Sequence, residues 1–364
     1  MKIGEIVDFL ENWAHPSLQE SYDNSGLIIG DRSESCQAAL ISLDVTEDVL
    51  DEAIENQCNL ILAHHPLIFN GVKRIGKNHW IDKCIRKAIK HDISIYAIHT
   101  NLDNVHTGVN KKICDKLSLT EVEVLQPKSG TLVKLTVFVP ESDKDQLLNA
   151  IFAAGAGQIG DYDECSFSFT GEGTFRGNEA SNPSIGKRGI RESVAETRVE
   201  VMIQKHLLPE VIKQLKKVHP YEEVAYYTSE LLNVNQEVGS GMIGILETEM
   251  KTNDFLNYVK EKLGLQIIKH TNPVKEKINR VAVCGGSGSF LLRKAIRRQA
   301  DVFISSDFKY HDFFEANNQI IIADIGHYES EVYTKDLLYD ELTKTFANFA
   351  FRLSKVDTNP IKYL

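Results

Sequence analysis

Six short segments constrain most strongly what this chain can fold into. QAALISLD, NLILAHH and ISIYAIH near the start, and INRVAVCGG, ADVFISSD and QIIIADIG near the end, are near-continuous apolar runs rather than alternating ones. A strand that is apolar on both faces has to be covered on both faces, which predicts a mainly parallel sheet flanked by helices. The intervening segments supply those helices. Ile3, Ile6, Val7, Leu10 and Trp13, then Val49, Leu50, Ala53 and Ile54, then Ile81, Cys84, Ile85, Ala88 and Ile89 each recur at helical spacing. FLLRKAIRRQ, KYHDFFEANN and a stretch from about Glu329 give three more in the last third. In such sheets ligands gather at the carboxyl ends of the strands.

The pattern breaks after LQPKSG. KLTVFVP, SDKDQLLNAIFAAG, ECSFSFTGEG, TRVEVMIQ, LLPEVIKQLKK and EVAYYTSEL read as β-α-β-β-α-β, the order of a ferredoxin-like unit. The polar, Gly- and Ser-rich FRGNEASNPSIGKRGIRES between its halves reads as an excursion loop. The expected organisation is therefore an α/β core split into 1–127 and 237–364, with a ferredoxin-like α+β domain inserted at 128–236.

Composition removes several functional classes. The 364 residues carry 41 Lys plus Arg against 51 Asp plus Glu, a net charge of −10 that repels a phosphate backbone and argues against nucleic acid as a partner. The six cysteines form no C-x-x-C pair, and several sit in apolar stretches, so they are expected to be reduced and buried. MKIGEIVDFLENWAHP has acidic residues within its apolar pattern and no small-residue cleavage site, and no apolar run approaches the ~18 residues of a membrane span. A cytoplasmic location without membrane contact follows as the expectation.

Three clusters of ligand-type side chains stand just beyond strand ends. His64-His65-Pro66 follows NLILA, His99-Thr100-Asn101-Leu102-Asp103 follows ISIYAI, and His327-Tyr328-Glu329-Ser330-Glu331 follows QIIIAD. Each has an ordinary alternative: a turn with one packed and one exposed histidine, an Asx turn or cap at Asp103, and a first-turn acid at Glu331 that complements the helix dipole. Jointly they place His64, His65, Asp103, His327 and Glu331 at the sheet edge where open α/β folds build sites. Three nitrogens and two carboxylates exceed the needs of one open catalytic ion but suit two bridged ions, with Zn, Mn or Fe(II) compatible with a nitrogen and oxygen set.

Other residues invite weaker readings. Asp44 ends ISLD as a ligand-supporting group or general base, or else as a turn residue or helix cap, and His99 is a candidate to orient a ligand or transfer a proton beside its plain alternative, a satisfied strand-end histidine. Asp307 and His311 lie where a strand gives way to a helix, making His311 a second proton-transfer candidate beside its plain alternative, a helix-surface histidine. Gly285-Gly286-Ser287-Gly288-Ser289 lies between strand and helix, where a tight turn is the default and a phosphate contact the alternative. KRGIRES, with no interleaved aromatics, reads as a solvated loop.

As an ordered set, YDNSGLIIG, AHHP, HTNLD, ISSDFKYHD and DIGHYESE resemble the NGG-one-interacting-factor-three-like family, whose bacterial members often carry the name GTP cyclohydrolase 1 type 2 homologue. GAGQIGDYDECSFSFTGEGTF and HPYEEVAYY resemble the extra domain of its longer bacterial members, so nearly the whole chain is covered. The resemblance implies a dinuclear site with the ligands His64, His65, Asp103, His327 and Glu331, and a toroidal homohexamer whose sites face an internal cavity. Two functional hypotheses follow. One is a hydrolase-like enzyme in which metal-activated water attacks a small molecule such as a nucleotide or phosphoester. The other is a non-catalytic metal-binding regulatory or assembly protein.

Overall fold

Leu60–Ala63 shows how a continuous apolar run becomes a central strand: Leu60 and Leu62 enter one buried cluster, while Ile61 and Ala63 enter another on the opposite face. Its neighbours divide the same way, Ala39 and Ile41 against Leu40, and Tyr96 against Ile95. Because side chains alternate with a period of two, a slip of one residue would exchange the two sets, which locks the register Leu60↔Ser94 and Ala39↔Leu60.

The computed structural model describes residues 1–364, which pack as two compact units. The first comprises Met1–Pro127 and Gln236–Leu364, and the second Lys128–Asn235. The core of the first unit holds two sheets. One has the order Gly26–Ile29, Ser94–Ala97, Leu60–Ala63, Ala39–Ser42 and Phe351–Leu353, parallel except at Gly26–Ile29. The other has the order Lys269–His270, Ile321–Asp324, Val302–Ser306, Lys277–Ser287, Gly239–Lys251 and Leu119–Pro127. Only its three middle-to-edge strands Ile321–Asp324, Val302–Ser306 and Lys277–Ser287 run parallel, the remaining pairings being antiparallel. A mainly parallel sheet thus describes the first half of the core, and the second half is mixed.

Ile41, Leu60, Leu62 and Tyr96 from the first sheet share one hydrophobic cluster with Val281, Val283, Val302, Ile304 and Ile321 from the second. Ile3–Trp13 and Thr334–Thr345 pack into it, as do Val109–Lys116 and Thr252–Lys262, two helices that the sequence patterns above did not single out. Glu47–Glu55 and Trp80–Lys90 cover the outer face of the first sheet, and Leu292–Arg297 that of the second. KYHDFFEANN forms a 3-10 segment, Tyr310–Ala316, in place of the expected α-helix. No helix is long and apolar enough to cross a membrane. All six cysteines are free thiols, five buried and Cys165 half-buried.

The second unit is a four-stranded antiparallel sheet, in the order Ser166–Arg176, Arg191–Gln204, Leu132–Val139 and Tyr226–Glu230, with Lys144–Ala153 and Leu208–Val218 packed into its core. The two long strands pair from Ser166↔Val201 to Arg176↔Arg191, so both ends of the expected excursion loop are strand.

Candidate metal centre

The strand ends deliver the site. Where Leu60–Ala63 stops, the chain turns with His64 fully buried and His65 half-buried beneath it. After Ser94–Ala97, His99 leads into the single helical turn Thr100–Asp103. After Ile321–Asp324, Gly326 at φ 90° opens the short helix His327–Glu331, whose i, i+4 spacing puts His327 and buried Glu331 on one side.

Each imidazole has one nitrogen tied and one aimed inward. His64 Nδ1 lies 2.8 Å from the carbonyl oxygen of Ile98, which can only accept, so Nδ1 carries the hydrogen and Nε2 presents a lone pair. That Nε2 is buried with no hydrogen-bond partner, 3.6 Å from Asp103 Oδ1, itself buried and unpartnered, and 3.7 Å from Glu331 Oε1. These three atoms converge with no hydrogen bond at His64 Nε2 or Asp103 Oδ1, and with both carboxylates ionised the arrangement costs free energy unless a proton or a cation sits between them. On the other side of the carboxylate, His65 Nε2 and His327 Nε2 lie 2.9 Å and 3.0 Å from Glu331 Oε2 and 3.4 Å from each other. The inward atoms of His64, His65 and Glu331 all fall within 4.8 Å of one another. The two oxygens of Glu331 therefore face two separate groups of ligand-type atoms, and the residue types fit divalent ions.

The outer nitrogens are held by carboxylates: His65 Nδ1 by Asp44 at 2.7 Å, His327 Nδ1 by Asp307 at 2.6 Å, and His99 Nδ1 by Asp23 at 2.7 Å. Such partners fix ring orientation and raise ligand basicity. Asp44 is therefore a supporting partner, while the next helix is capped by Thr46, whose side chain accepts from the Val49 amide. Asp307 performs its task from a left-handed backbone, φ 59°. Thr358 near the C-terminus donates to Asp44 Oδ2 at 2.6 Å, a contact between positions 314 residues apart for which the sequence carries no local signal.

Electrostatics follow from this packing. Burial alone would lower the His65 imidazole, but Asp44 and Glu331 push it up to about 10. His327 is likewise lowered by burial but pushed up to about 9 by Glu331 and Asp307. Burial, and then the Glu331 charge, raise the Asp103 carboxyl. Glu331, although burial opposes its charge, is held well below the usual carboxylate range, chiefly by His327 and the histidines beside it. In the metal-free chain at neutral pH, positive charge resides on His65 and His327 and negative charge on Glu331.

The glycine-rich segment has a different role from a phosphate cradle. Its Gly285 and Gly286 amides are already spent on Asn110 Oδ1 and Ser330 Oγ, both at 2.9 Å. A Cβ on Gly286, at φ 62°, would stand 2.3 Å from Glu331 Oε1, so glycine is what makes room for the carboxylate. The structure brings His64, His65, Asp103, His327 and Glu331 together, with His99 beside them at 5.4 Å from both His64 and His65, ring to ring. It does not bring His311. That side chain is exposed on the 3-10 segment, whose backbone sets it against its own neighbours Tyr310 and Phe314.

A two-sheet α/β core with a buried histidine and carboxylate cluster at its strand ends defines the class to which the chain is assigned. Residues 1–360 match the family model described as Duf34/NIF3 (NGG1p interacting factor 3), and the chain belongs to that family. A Halalkalibacterium halodurans protein named GTP cyclohydrolase 1 type 2 homolog is 38% identical over 365 residues, spanning 99% of this chain and 98% of the relative. A Bacillus subtilis protein of the same name is 36% identical over 366 residues, with 99% and 98% covered. The crystal structure of a Bacillus cereus protein related to NIF3 superposes with a TM-score of 0.88 at 36% identity, covering 100% of this chain and 99% of that one.

Proposed function

We propose that the cluster is a dinuclear metal centre, with His64, His65, Asp103, His327 and Glu331 as ligands to two Zn, Mn or Fe ions, in a hydrolase acting on a nucleotide or phosphoester-type small molecule. The observation that carries this is the convergence of three ligand-type atoms, Asp103 Oδ1 and Glu331 Oε1 lying 3.6 Å and 3.7 Å from His64 Nε2, with no hydrogen bond at His64 Nε2 or Asp103 Oδ1. The second group, His65 and His327 beside the other Glu331 oxygen, would hold a second ion.

When bound, two such ions supply a water of lowered pKa and polarise the attacked centre. The chain's own residues do the rest. Ile98, Asp44 and Asp307 hold the ligand rings in one orientation. Asp23, locked by the Thr100 amide and hydroxyl, keeps the His99 Nδ1 hydrogen in place, so His99 Nε2 is the group to accept or return a proton at the cluster. The relatives' name makes a guanine nucleotide the first substrate to try, with hydrolytic opening at C8 as the corresponding reaction.

A second function, a non-catalytic metal-binding regulatory or assembly protein, is favoured by the presence of a separate compact unit, Lys128–Asn235, suited to oligomer or effector contacts. We take that unit to be an inserted ferredoxin-like domain, supported by its strand order and two helices. The family resemblance supports a homohexamer, and the free thiols suit a cytoplasmic protein.

Elemental analysis of the parent, His327→Ala and Asp103→Ala chains tests the centre. Close to two ions in the parent and a clear loss in both variants is expected; a parent that takes up none on reloading refutes it. Screening nucleotides and phosphoesters after loading with Mn, Zn or Fe then separates the functions. Turnover abolished by His64→Ala supports the hydrolase, whereas no turnover with any ion, together with metal-dependent partner capture, supports the regulator.

A further inference from the structure

The rim of the cluster carries two rings that the ligand set does not use. Phe69 meets His99 edge-on with ring centroids 6.0 Å apart, and Tyr22 lies 6.3 Å from Phe69. His99 in turn meets His64 and His65. A row of rings therefore leads from solvent to the ligands, with Tyr22 64% and Phe69 41% exposed at its outer end. The row is fixed in place. Asn24 Nδ2 donates to the Ile68 carbonyl at 2.5 Å, which ties the Tyr22 loop to the Phe69 loop, and Asp23 anchors the former to His99 and Thr100.

Large rings left exposed contribute little to folding, and rings held rigidly beside a polar site form a surface on which a planar group stacks with little ordering cost. We propose that Tyr22 and Phe69 are a stacking platform for an aromatic or heteroaromatic ring of the substrate, whose polar group is thereby delivered to the cluster of His64, His65 and His327. The proposal rests on the metal-centre assignment and narrows its substrate to molecules with a planar ring.

The test compares benzohydroxamate with acetohydroxamate, which offer the same chelating group with and without a ring. Metal content is measured first on the parent, Tyr22→Leu, Phe69→Leu and double-variant chains, and is expected to be equal because neither side chain is a ligand. Calorimetry on the metal-loaded 364-residue chain then gives both affinities. The parent is expected to prefer the ring by about tenfold, roughly 1.4 kcal/mol, and the double variant to retain about twofold at most. Tyr22→Phe, which keeps the ring, is expected to keep the preference. A loaded parent with no preference, or one that the double variant does not change, overturns the platform alone. A parent that binds no metal overturns the centre and the platform together.

Discussion

Replacing Gly286 with alanine tests whether the cluster depends on backbone left bare for a carboxylate. The residue sits at φ 62°, and its added methyl would lie 2.3 Å from Glu331 Oε1, 3.1 Å from Glu331 Cδ and 3.5 Å from His327 Cε1. Ordinary contact begins near 3.4 Å, so Glu331, held through its other oxygen by His65 and His327, has to retreat by about 1 Å. Two costs combine: roughly 1–2 kcal/mol for a side chain in left-handed backbone, and roughly 1–3 kcal/mol for overpacking. Gly264→Ala is the control, since at φ 64° its methyl would meet only Tyr333 Oη at 3.7 Å and incur the backbone cost alone. Trp13 and Trp80, the two tryptophans of the chain, both lie in the first unit, so their fluorescence during urea unfolding follows that unit. The expectation is a loss of about 2–5 kcal/mol for Gly286→Ala against about 1–2 kcal/mol for Gly264→Ala. Metal content is expected to fall only in the former. Equal losses and full metal in both variants would refute the steric argument.

Metal uptake is expected to release protons, because His65 and His327 titrate near 10 and 9 and must lose a proton each to bind; calorimetry at pH 7 in buffers of different ionisation enthalpy should give about two, plus a share from Asp103. Uptake with less than about one proton released contradicts the charge assignment. The same upward shifts stabilise the metal-free fold fully below the ordinary histidine range, a contribution lost as pH rises through about 9 and then 10, so the Tm of the metal-free chain should fall over that interval. Thr358→Val removes the hydroxyl donor to Asp44 and should weaken metal retention against a chelator by about tenfold, with Asp44→Asn weaker still; unchanged retention in both would mean that Asp44 does not position His65. Asp23, despite burial, is lowered to about 2 chiefly by its bonds to His99 and Thr100, so its stabilisation is present above pH ~4 and lost as pH falls through 2. Asp23→Asn should therefore flatten that acid limb while leaving metal content intact, and an unaltered acid transition would count against the pair.

Much of the site was legible because ligand chemistry and strand ends coincide in sequence: AHHP, HTNLD and GHYESE each follow an apolar run that has to be buried. His311 has the same credentials, a histidine just past a strand, yet Tyr310–Ala316 carries it to the surface. No local rule separates it from His327, since the direction of a segment after a strand is set by what the rest of the chain packs against it. Val109–Lys116 and Thr252–Lys262 leave only a faint trace in the sequence for a related reason. VNKKICDK and TNDFLNYVKEK each carry four charged residues, and their four buried ones include the polar Asn110 and Thr252, so the apolar face shows only against the shared core.

By itself the sequence marked the strands with two buried faces, the change of pattern after LQPKSG and the side chains of ligand type beyond the strand ends, because each depends on residues close together in the chain. Tertiary structure decided which sheet each strand joins, the mixed character of the second sheet, and the roles of Gly286, Asp44, Asp307 and Thr358. Those depend on distances between residues remote in sequence, such as Gly286 to Glu331 or Thr358 to Asp44, which exist only once both sheets have closed on their common core.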